Sequence, residues 1–440
     1  MQKTLKTQDV IALGFMTFAL FLGAGNIIFP PMVGLESGPH LWWAVLGFLL
    51  TGVGLPVLAI VTLARVGGGL DMLTSPIGRV AGTAFGVAIY LTIGPLFATP
   101  RTATVSFEMG FAPFIGDGRA QLFGYTVVYF AVATLIALFP GRLIDSVGKV
   151  LTPTLLAALV VLGIAALVRP AGGADVLSDA YATAPLSQGF VQGYLTMDAL
   201  AALVFGVVIV TAIRSRGVDS GRLVMRYTIA AAVIAGGCLA LVYVSLMWLG
   251  ATSGSVASDA ETGVPLLTGF ARHAFGAPGG LLLAAVITLA CLTTAVGLLT
   301  ALGEYFSRLL PVSYRTVVVV MGLFSMAVAN QGLAQLISVS VPVLVGLYPV
   351  AITLMLLGLA WRLWRCPRRV FVPALAVATV FGVIDGLIAA GFDGWVPEWL
   401  YLLPGSSMGL GWSVPVLLVV VIAAVADRAL PATDAAQSAA

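Results

Sequence analysis

The chain has 440 residues, of which 60% are hydrophobic and only 9% are charged. An average soluble domain has roughly 45–50% apolar and 25% charged residues, so a water-soluble fold is excluded. The formal net charge of +3 is small and gives no reason to expect a nucleic-acid partner. The composition predicts an all-α polytopic membrane protein whose surface lies against the lipid bilayer.

Long apolar runs predict twelve transmembrane helices. A spanning helix needs about 20 mostly apolar residues, and the run 316–361 is long enough to hold two, with a turn at Asn330-Gln331-Gly332. No signal-peptide cleavage site follows the first residues, so the first span is expected to stay in the protein. The predicted spans are 9–31, 40–64, 80–106, 120–139, 150–168, 187–212, 227–250, 280–303, 314–329, 333–361, 370–391 and 411–427.

Basic residues are distributed unequally between the two sides of this arrangement. Of the 21 Lys and Arg residues, Arg119, Arg169 and Arg272 fall in loops on one side and Arg101 falls inside a span, which leaves 17 on the side of the termini. Retained basic residues mark the cytoplasmic side. Both termini are therefore predicted to be cytoplasmic, with residues 428–440 as a cytoplasmic tail.

The first predicted span is interrupted in its outer half. It contains Gly23, Gly25, Asn26 and the pair Pro30-Pro31 within an otherwise strongly apolar helix. Proline removes a backbone donor and glycine costs a helix about 1 kcal/mol. Unwound backbone at membrane depth survives only where it is buried in protein or lines a wet cavity. Close packing by small residues is the alternative, but the pattern favours a break at a binding site.

The third span carries a charge, because Arg101 lies inside it and Glu108 lies just beyond it. Charges inside the membrane are functional hypotheses by default, since their insertion is costly. An outer gate in which Arg101 pairs with Glu108 or another carboxylate competes with simple extension of the arginine to the interface. The gate is the interpretation we favour.

The sixth span repeats the pattern of the first, with Gly189, Gly193 and polar groups before Asp198. Two breaks five helices apart predict that helices one to five recur, inverted, in helices six to ten, because five is odd. Many secondary transporters follow this plan and bind substrate and ion at the midplane between discontinuous helices. Exposed amides there favour a carboxylate and exposed carbonyls a cation. For Asp198, a coupling role and a structural role stay equally open.

The eighth span contains a candidate cation site at Ala290, Thr293 and Thr294. Adjacent hydroxyls near mid-membrane are oxygen ligands of the kind that hard cations prefer. Threonines in membrane helices usually bond back to carbonyls of their own helix, so the pair by itself is weak support for a site.

Other classes of protein fit the sequence less well. Asp198 and Asp385 would have to form the dyad of an intramembrane aspartyl protease, but the residues before Asp385 lack the typical GxGD pattern, and no HExxH, GxSxG or nucleotide-binding loop is present. A channel would require rings of carbonyls or charges, and no such repeat appears.

Cys238, Cys291 and Cys366 show no CxxC spacing, so neither a transition-metal site nor a disulfide is expected. We therefore expect neither an enzyme nor a cofactor. For Asp385, a structural role or a contact in a homo-oligomer is favoured.

Three phrases, Phe21–Pro31, Leu91–Thr104 and Gly193–Ala202, resemble the bacterial branched-chain amino acid:cation symporters of the amino acid-polyamine-organocation superfamily, and the likeness covers nearly the whole chain. The resemblance implies import of leucine, isoleucine and valine across the bacterial cytoplasmic membrane, driven by sodium or protons. It also implies a LeuT-type five-plus-five inverted repeat. The repeats would be 1–168 and 187–361, and the last two helices, 370–427, would lie outside them.

The resemblance further implies ligands for the ion and for the substrate. The sodium site would use oxygen atoms at the end of the first half-helix and on the eighth helix: Ala19, Leu22, Ala290, Thr293 and Thr294. The substrate carboxylate would meet backbone amides at the first break: Ala24, Gly25 and Asn26.

The substrate side chain is expected to occupy an apolar pocket. One methylene is worth only about 1–3 kcal/mol of discrimination, so a carrier of branched-chain amino acids need not distinguish among them. The candidate residues, for which plain helix packing is the alternative, are Tyr90, Ile93, Tyr194 and Leu195.

Overall fold

The computed structural model of the protein describes residues 4–139, 143–173, 176–257, 259–392, 394, 396–406 and 409–430, without side chains for 143–153, 277 and 398. Helices account for nearly all of the described chain. The β-type pairing found there is one isolated antiparallel bridge between Ser37 and Leu177. The predicted all-α class is confirmed, while the tail residues 431–440 lie outside the described residues.

The principal helices follow the predicted spans in chain order. They are α1a (Thr7–Phe21), α1b (Ala24–Glu36), α2 (Gly38–Val66), α3 (Arg79–Gly110), α4 (Arg119–Leu138), α5 (Leu143–Val168), α6a (Pro185–Thr196), α6b (Asp198–Arg214), α7 (Gly221–Ala251), α8 (Gly263–Leu309), α9 (Tyr314–Ala329), α10 (Leu333–Leu359), α11 (Pro367–Ala389) and α12 (Ser413–Ala429).

Seven of these helices are long and apolar enough to cross a membrane, and the two bent pairs α1a/α1b and α6a/α6b raise the number to nine. The described chain is therefore a multi-pass membrane protein. The helices α5, α9 and α12 occupy the remaining predicted spans. The full number of twelve spans stays a prediction.

One predicted loop is largely helical. The predicted spans 227–250 and 280–303 leave residues 251–279 between them as a loop, but α8 already begins at Gly263. The helix kinks at Gly276, whose φ of 69° lies in the left-handed region that glycine tolerates best. The sequence pattern missed this segment because it is too polar and too short to be a span.

The two broken spans lie among the other helices, with α1a and α1b against α7, and with α6a and α6b against α2. Glycines allow close approach at both contacts, since a Cβ at Gly34 would collide with a backbone carbonyl of α7 and one at Gly189 with a carbonyl of α2. Small residues at helix contacts let backbones pack tightly in lipid. This packing fixes the positions of the two breaks.

The last two helices are joined by a buried carboxylate. Asp427 of α12 is 1% exposed and accepts hydrogen bonds from the backbone N–H groups of Arg365 (2.7 Å) and Cys366 (2.9 Å), which precede α11. These N–H groups lie at a helix start, where the helix itself offers no acceptor.

Replacing Asp427 with alanine is expected to lower the stability of the protein by about 1–2 kcal/mol, because a helix start loses its cap and two partly buried backbone donors lose their acceptor. The measurement is the thermal midpoint of the purified protein in detergent. Asp219→Ala, at an exposed loop position, is the control and should leave the midpoint unchanged. Equal midpoints for the two variants would contradict this role of Asp427.

Candidate functional site

The first break lies at Leu22 and Gly23. Both residues have extended backbone, and α1a and α1b meet at an angle of 76°. The Gly23 N–H donates to Oδ1 of Asn26 at 2.9 Å, which is half of the usual capping box at a helix start. The following N–H groups, including those of Ala24 and Gly25, lie in the first turn of α1b, where helices leave donors without an internal partner.

The prolines are not the site of the break. Pro30 and Pro31 lie inside α1b, beyond its first turn. The break precedes them because Gly23 and Asn26 together begin a new helix, whereas the prolines only remove donors from one that has already started. The interruption was predicted correctly as a feature of the span, but its position is nearer the middle.

The second break ends at Met197. A short 3-10 turn, Gly193–Thr196, is followed by Met197 with φ of 64°, and α6b then begins at Asp198, bent by 44° from α6a. A non-glycine residue in this left-handed region costs of order 1–3 kcal/mol and such residues cluster at functional sites. Asp198 consequently lies at the positive end of a half-helix, which favours its carboxylate.

A buried hydrogen-bond network joins the two breaks. Nδ2 of Asn26 lies 2.9 and 2.7 Å from the two carboxylate oxygens of Asp198. The hydroxyl of Tyr243, in the second half of α7, donates to Asp198 Oδ2 and also contacts Asn26. All three side chains are at most 2% exposed. The network therefore couples α1b, α6b and α7.

Arg101 lies beside the same breaks. The helix α3 kinks at Gly94 and Pro95, and Arg101 follows in its second half. Nη1 donates to the carbonyl of Leu195 at 3.0 Å, and the guanidinium carbon lies 5.1 Å from the ring centre of Phe29, a cation–π distance. The side chain is 3% exposed. Arg101 therefore lies beside the two breaks and not at the outer gate that the sequence suggested.

Glu108 lies elsewhere. It lines a cavity of about 710 Å³ together with Ser255, Asp259 and Glu261. Alternation of the spans places this cavity on the side of the membrane opposite to the N-terminus. The expected pairing of Glu108 with Arg101 is therefore not the arrangement in the structure.

A small cavity separates the two breaks, with a volume of about 40 Å³. A water molecule needs about 10–15 Å³ by the same measure, whereas ligand pockets are typically about 300–1,000 Å³. The cavity must therefore enlarge before it can hold an amino acid. Its lining is polar at Gly25, Asn26, Arg101 and Asp198, and apolar at Ile93 and Phe205.

Four of the five predicted cation ligands lie close together, namely Leu22, Ala290, Thr293 and Thr294, and Thr294 lines this cavity. The Thr294 hydroxyl lies 3.0 Å from the carbonyl of Ala290 and 3.4 Å from the carbonyl of Leu22, and the Thr293 hydroxyl donates to Ala290 at 2.7 Å. Ala19 lies one turn earlier on α1a. The final carbonyls of a helix have no hydrogen-bond partner within it and lie at the negative end of the helix dipole. Both threonines also make the bonds to their own helix that the alternative interpretation expected.

The predicted side-chain pocket is only partly assembled. Ile93 lines the cavity. Tyr90 instead stacks on Tyr305, with ring centres 3.8 Å apart, in a separate cavity of about 610 Å³ on the N-terminal side. Tyr194 is 1% exposed and stacks on Tyr348 at 4.1 Å. Leu195 contributes its carbonyl to Arg101 rather than its side chain to the cavity lining.

The second intramembrane aspartate is not part of this network. Asp385 lies on α11, which packs against α10, whereas the oxygens of Asp198 accept from Asn26 and Tyr243. The arrangement is not a dyad that shares one proton.

Tyr243 and Phe29 are the neighbours of these charges that the sequence did not single out. Each is one aromatic residue within an apolar span. The sequence alone does not distinguish an aromatic residue that contacts a buried charge from one that only packs against other helices. The usable signal was the phenol at mid-membrane, because a buried tyrosine hydroxyl usually finds a hydrogen-bond partner.

The sequence matches a known family along almost its entire length. The sequence model described as "Branched-chain amino acid transport protein" matches residues 6–430. The chain belongs to this family. Its members are transport proteins, so the chain is a branched-chain amino acid transport protein and not an enzyme.

Curated relatives agree with the family assignment. The chain is 63% identical over 426 residues to "Branched-chain amino acid transport system 2 carrier protein" of Pseudomonas aeruginosa, covering 97% of this chain and 98% of the relative. It is 52% identical over 429 residues to "Branched-chain amino acid permease BrnQ" of Escherichia coli K12, covering 98% of each. The transport protein therefore matches these relatives over nearly their full length.

Solved transporters share its fold at low sequence identity. The inward-facing conformation of Mhp1 aligns with a TM-score of 0.63 and 13% identity, covering 100% of this chain and 98% of Mhp1. The Eremococcus coleocola manganese transporter aligns with a TM-score of 0.60 and 12% identity, covering 97% of each chain. At these identities the likeness establishes the fold of the branched-chain amino acid transport protein and not its cargo.

Proposed function

We propose that the protein imports leucine, isoleucine and valine across the bacterial cytoplasmic membrane by symport with Na⁺ or H⁺. The substrate binds near the midplane, between the breaks of the first and sixth spans, and access to this site alternates between the two sides. The names of the relatives support the cargo, since they describe branched-chain amino acid carriers and permeases.

The observation that carries the proposal is the cavity between the breaks. Its wall combines the start of α1b at Gly25 and the carboxylate of Asp198 with the apolar side chains of Ile93, Phe205 and Leu298. Ligand sites are mostly apolar with a few convergent polar groups. Such a wall suits an amino acid with an aliphatic side chain, whose carboxylate meets the amides of Ala24, Gly25 and Asn26.

Alternating access is supported by the sizes of three cavities. The central cavity measures about 40 Å³, while about 710 Å³ and 610 Å³ lie on the two sides of the membrane. Leu298 of α8 lines the central cavity, and Ala301, one turn later, lines the cavity on the N-terminal side. A small displacement of α8 at Leu298 and Ala301 would connect the central cavity with the cavity on the N-terminal side.

The inverted repeat is supported by reciprocal packing. If helices one to five correspond to six to ten, α1a matches α6a and α1b matches α6b. The contacts of α1a and α1b with α7 then have their counterparts in the contacts of α6a and α6b with α2, and all four are present. Glycines that face backbone carbonyls of the partner helix occur in both pairs: Gly34 and Gly250 between α1b and α7, and Gly47 and Gly189 between α6a and α2. We assign the repeats to 1–168 and 187–361, with 370–427 outside them.

The proposed orientation places both termini in the cytoplasm. It rests on the basic residues, of which 17 of 21 fall on that side under the predicted topology. The cavity lined by Asp71, Glu304 and Arg308 is then the cytoplasmic one, and the cavity beside Glu108 is the external one.

The spacing of oxygens around Thr294 supports a sodium site. At 3.4 Å, its hydroxyl is farther from the Leu22 carbonyl than the 2.5–3.0 Å of an O–H···O hydrogen bond. A hard cation such as Ca²⁺ binds oxygen at about 2.3–2.6 Å, so two ligands at right angles around an ion of this kind lie roughly 3.3–3.7 Å apart. The two oxygens thus have the separation of neighbouring cation ligands. Asp198 is the alternative carrier for a proton.

Replacing Thr294 with alanine is expected to raise the sodium concentration for half-maximal leucine uptake about tenfold, because one oxygen ligand worth about 1.4 kcal/mol is lost. The double change Thr293→Ala with Thr294→Ala should raise it further. Thr300→Ala is the control, since Thr300 lies on the same helix, away from the first break, and donates to the carbonyl of Val296. An unchanged sodium dependence in correctly inserted Thr294→Ala protein would refute the site.

The carrier proposal itself is tested by counterflow. Proteoliposomes preloaded with unlabelled leucine should accumulate labelled leucine transiently, and excess isoleucine or valine should suppress this accumulation. A channel equilibrates its permeant without exchange, so the absence of saturable exchange by active protein would exclude a carrier.

A further inference from the structure

The guanidinium of Arg101 is buried with unused hydrogen-bonding capacity. The side chain is 3% exposed, Nη1 donates to the Leu195 carbonyl, and Phe29 lies at a cation–π distance. Nε is buried and has no hydrogen-bond partner among the described residues. Leaving a charged donor buried and unpaired is unfavourable, so this atom requires an explanation.

The free edge of the guanidinium is suited to a carboxylate. Nε and Nη2 lie on one side of its planar fork, which matches the two oxygens of a carboxylate. The bond to Leu195 uses Nη1 and leaves that edge available. Nη2 lies against Gly25, where a Cβ would be only 2.8 Å away. The glycine thus leaves room for the guanidinium next to the amides of α1b, where a carboxylate is already expected.

The cavity therefore has a positive and a negative side. Arg101 and Asp198 both line it, but the Asp198 carboxylate accepts its hydrogen bonds from Asn26 and Tyr243 rather than from Arg101. The two charges are held apart by these separate partners. Once the cavity enlarges, a zwitterion bound between them would have each end facing the opposite charge.

We propose that Arg101 binds the substrate carboxylate through Nε and Nη2, and that Asp198 faces the substrate ammonium group. This inference rests on the proposed function, because it assumes that an amino acid occupies this cavity. It adds a side-chain anchor to the backbone amides of Ala24, Gly25 and Asn26. It also makes Arg101 the residue that selects amino acids over amines of the same shape.

The test compares leucine with leucinamide, which keeps the ammonium group and side chain but lacks the carboxylate charge. Binding of each is measured on purified full-length protein by ligand-induced thermal stabilisation over a concentration series. The wild type is expected to prefer leucine at least about 30-fold, equivalent to about 2 kcal/mol. Arg101→Gln should weaken leucine binding by the same factor and leave leucinamide within about threefold, so that the preference disappears.

Two further variants complete the design. Arg101→Lys keeps the charge but not the fork, so leucine binding should fall about tenfold with little change for leucinamide. Arg65→Gln is the matched control, because Arg65 also donates to a backbone carbonyl, that of Leu359, but is exposed. It should retain the wild-type preference. If Arg101→Gln aggregates, the change in the preference for leucine over leucinamide in Arg101→Lys decides between the proposed role and a structural one.

An equal loss for both ligands in the Arg101 variants would show a structural role only and overturn the proposal. A leucine preference that persists without Arg101 would overturn it as well. If the wild type binds none of leucine, isoleucine and valine, the proposed function fails instead, so the two failures are distinguishable.

Discussion

Gly25→Leu is expected to reduce the rate of leucine uptake by at least about 100-fold without preventing insertion into the membrane. Even a Cβ at this position would lie 2.8 Å from Arg101 Nη2 and 3.4 Å from the Leu195 carbonyl. A leucine side chain is larger still and would occupy the space between the breaks, where overpacking displaces neighbours. The measurement is uptake of labelled leucine by cells that lack their own branched-chain carriers, normalised to the amount of protein in the membrane.

The control for this change is Gly124→Leu. Gly124 is an exposed glycine of α4 with nothing within 4 Å of an added Cβ, so uptake should stay near the wild-type rate. Gly25→Ala is expected to be intermediate, because the end of the Arg101 side chain is able to move. Normal uptake by correctly inserted Gly25→Leu would refute a substrate site at the first break.

Asp198→Asn is expected to reduce leucine uptake by at least about 30-fold, in line with the 2–5 kcal/mol lost when one partner of a buried, hydrogen-bonded charge pair is removed, here the pair of Asp198 with the substrate ammonium group. The asparagine has nearly the same size, but its NH₂ group is a donor. It would face Asn26 Nδ2 or the Tyr243 hydroxyl, which both donate to Asp198. The network that joins the two breaks would lose both its charge and an acceptor.

Uptake kinetics and protein amount should be measured together for this variant. Asp179→Asn, at an exposed position outside the spans, is the control and should transport normally. Wild-type uptake by Asp198→Asn would contradict a role of the carboxylate in substrate or ion binding, and would leave Asp198 with a structural role only.

The broken spans were predictable because their signal is local. Glycine, asparagine and proline within an apolar run weaken a helix wherever they occur, and the spacing of five helices between the breaks suggested how they pair. The exact position of the first break was not predictable in this way. It depends on the bond from the Gly23 N–H to Asn26, whereas the prolines that attract attention in the sequence lie inside α1b.

The partners of the charged residues were harder to predict because they are set by tertiary packing. Arg101 was expected near an outer gate, but the kink of α3 at Gly94 and the break before Asp198 bring it to the central cavity. Tyr90 precedes that kink and stacks on Tyr305 instead of facing the substrate position. The side to which a kinked helix directs its residues follows from its neighbours, which periodicity alone does not specify.

The most direct test of the account is concentrative leucine uptake into proteoliposomes under separately imposed gradients. With purified protein, an inward sodium or proton gradient should drive leucine above its external concentration, and Gly25→Leu should lose this uptake under the same gradient. Collapse of the driving gradient should release the accumulated leucine. If leucine reaches only its external concentration under both gradients, or accumulates equally with Gly25→Leu, ion-coupled transport through the two breaks is contradicted.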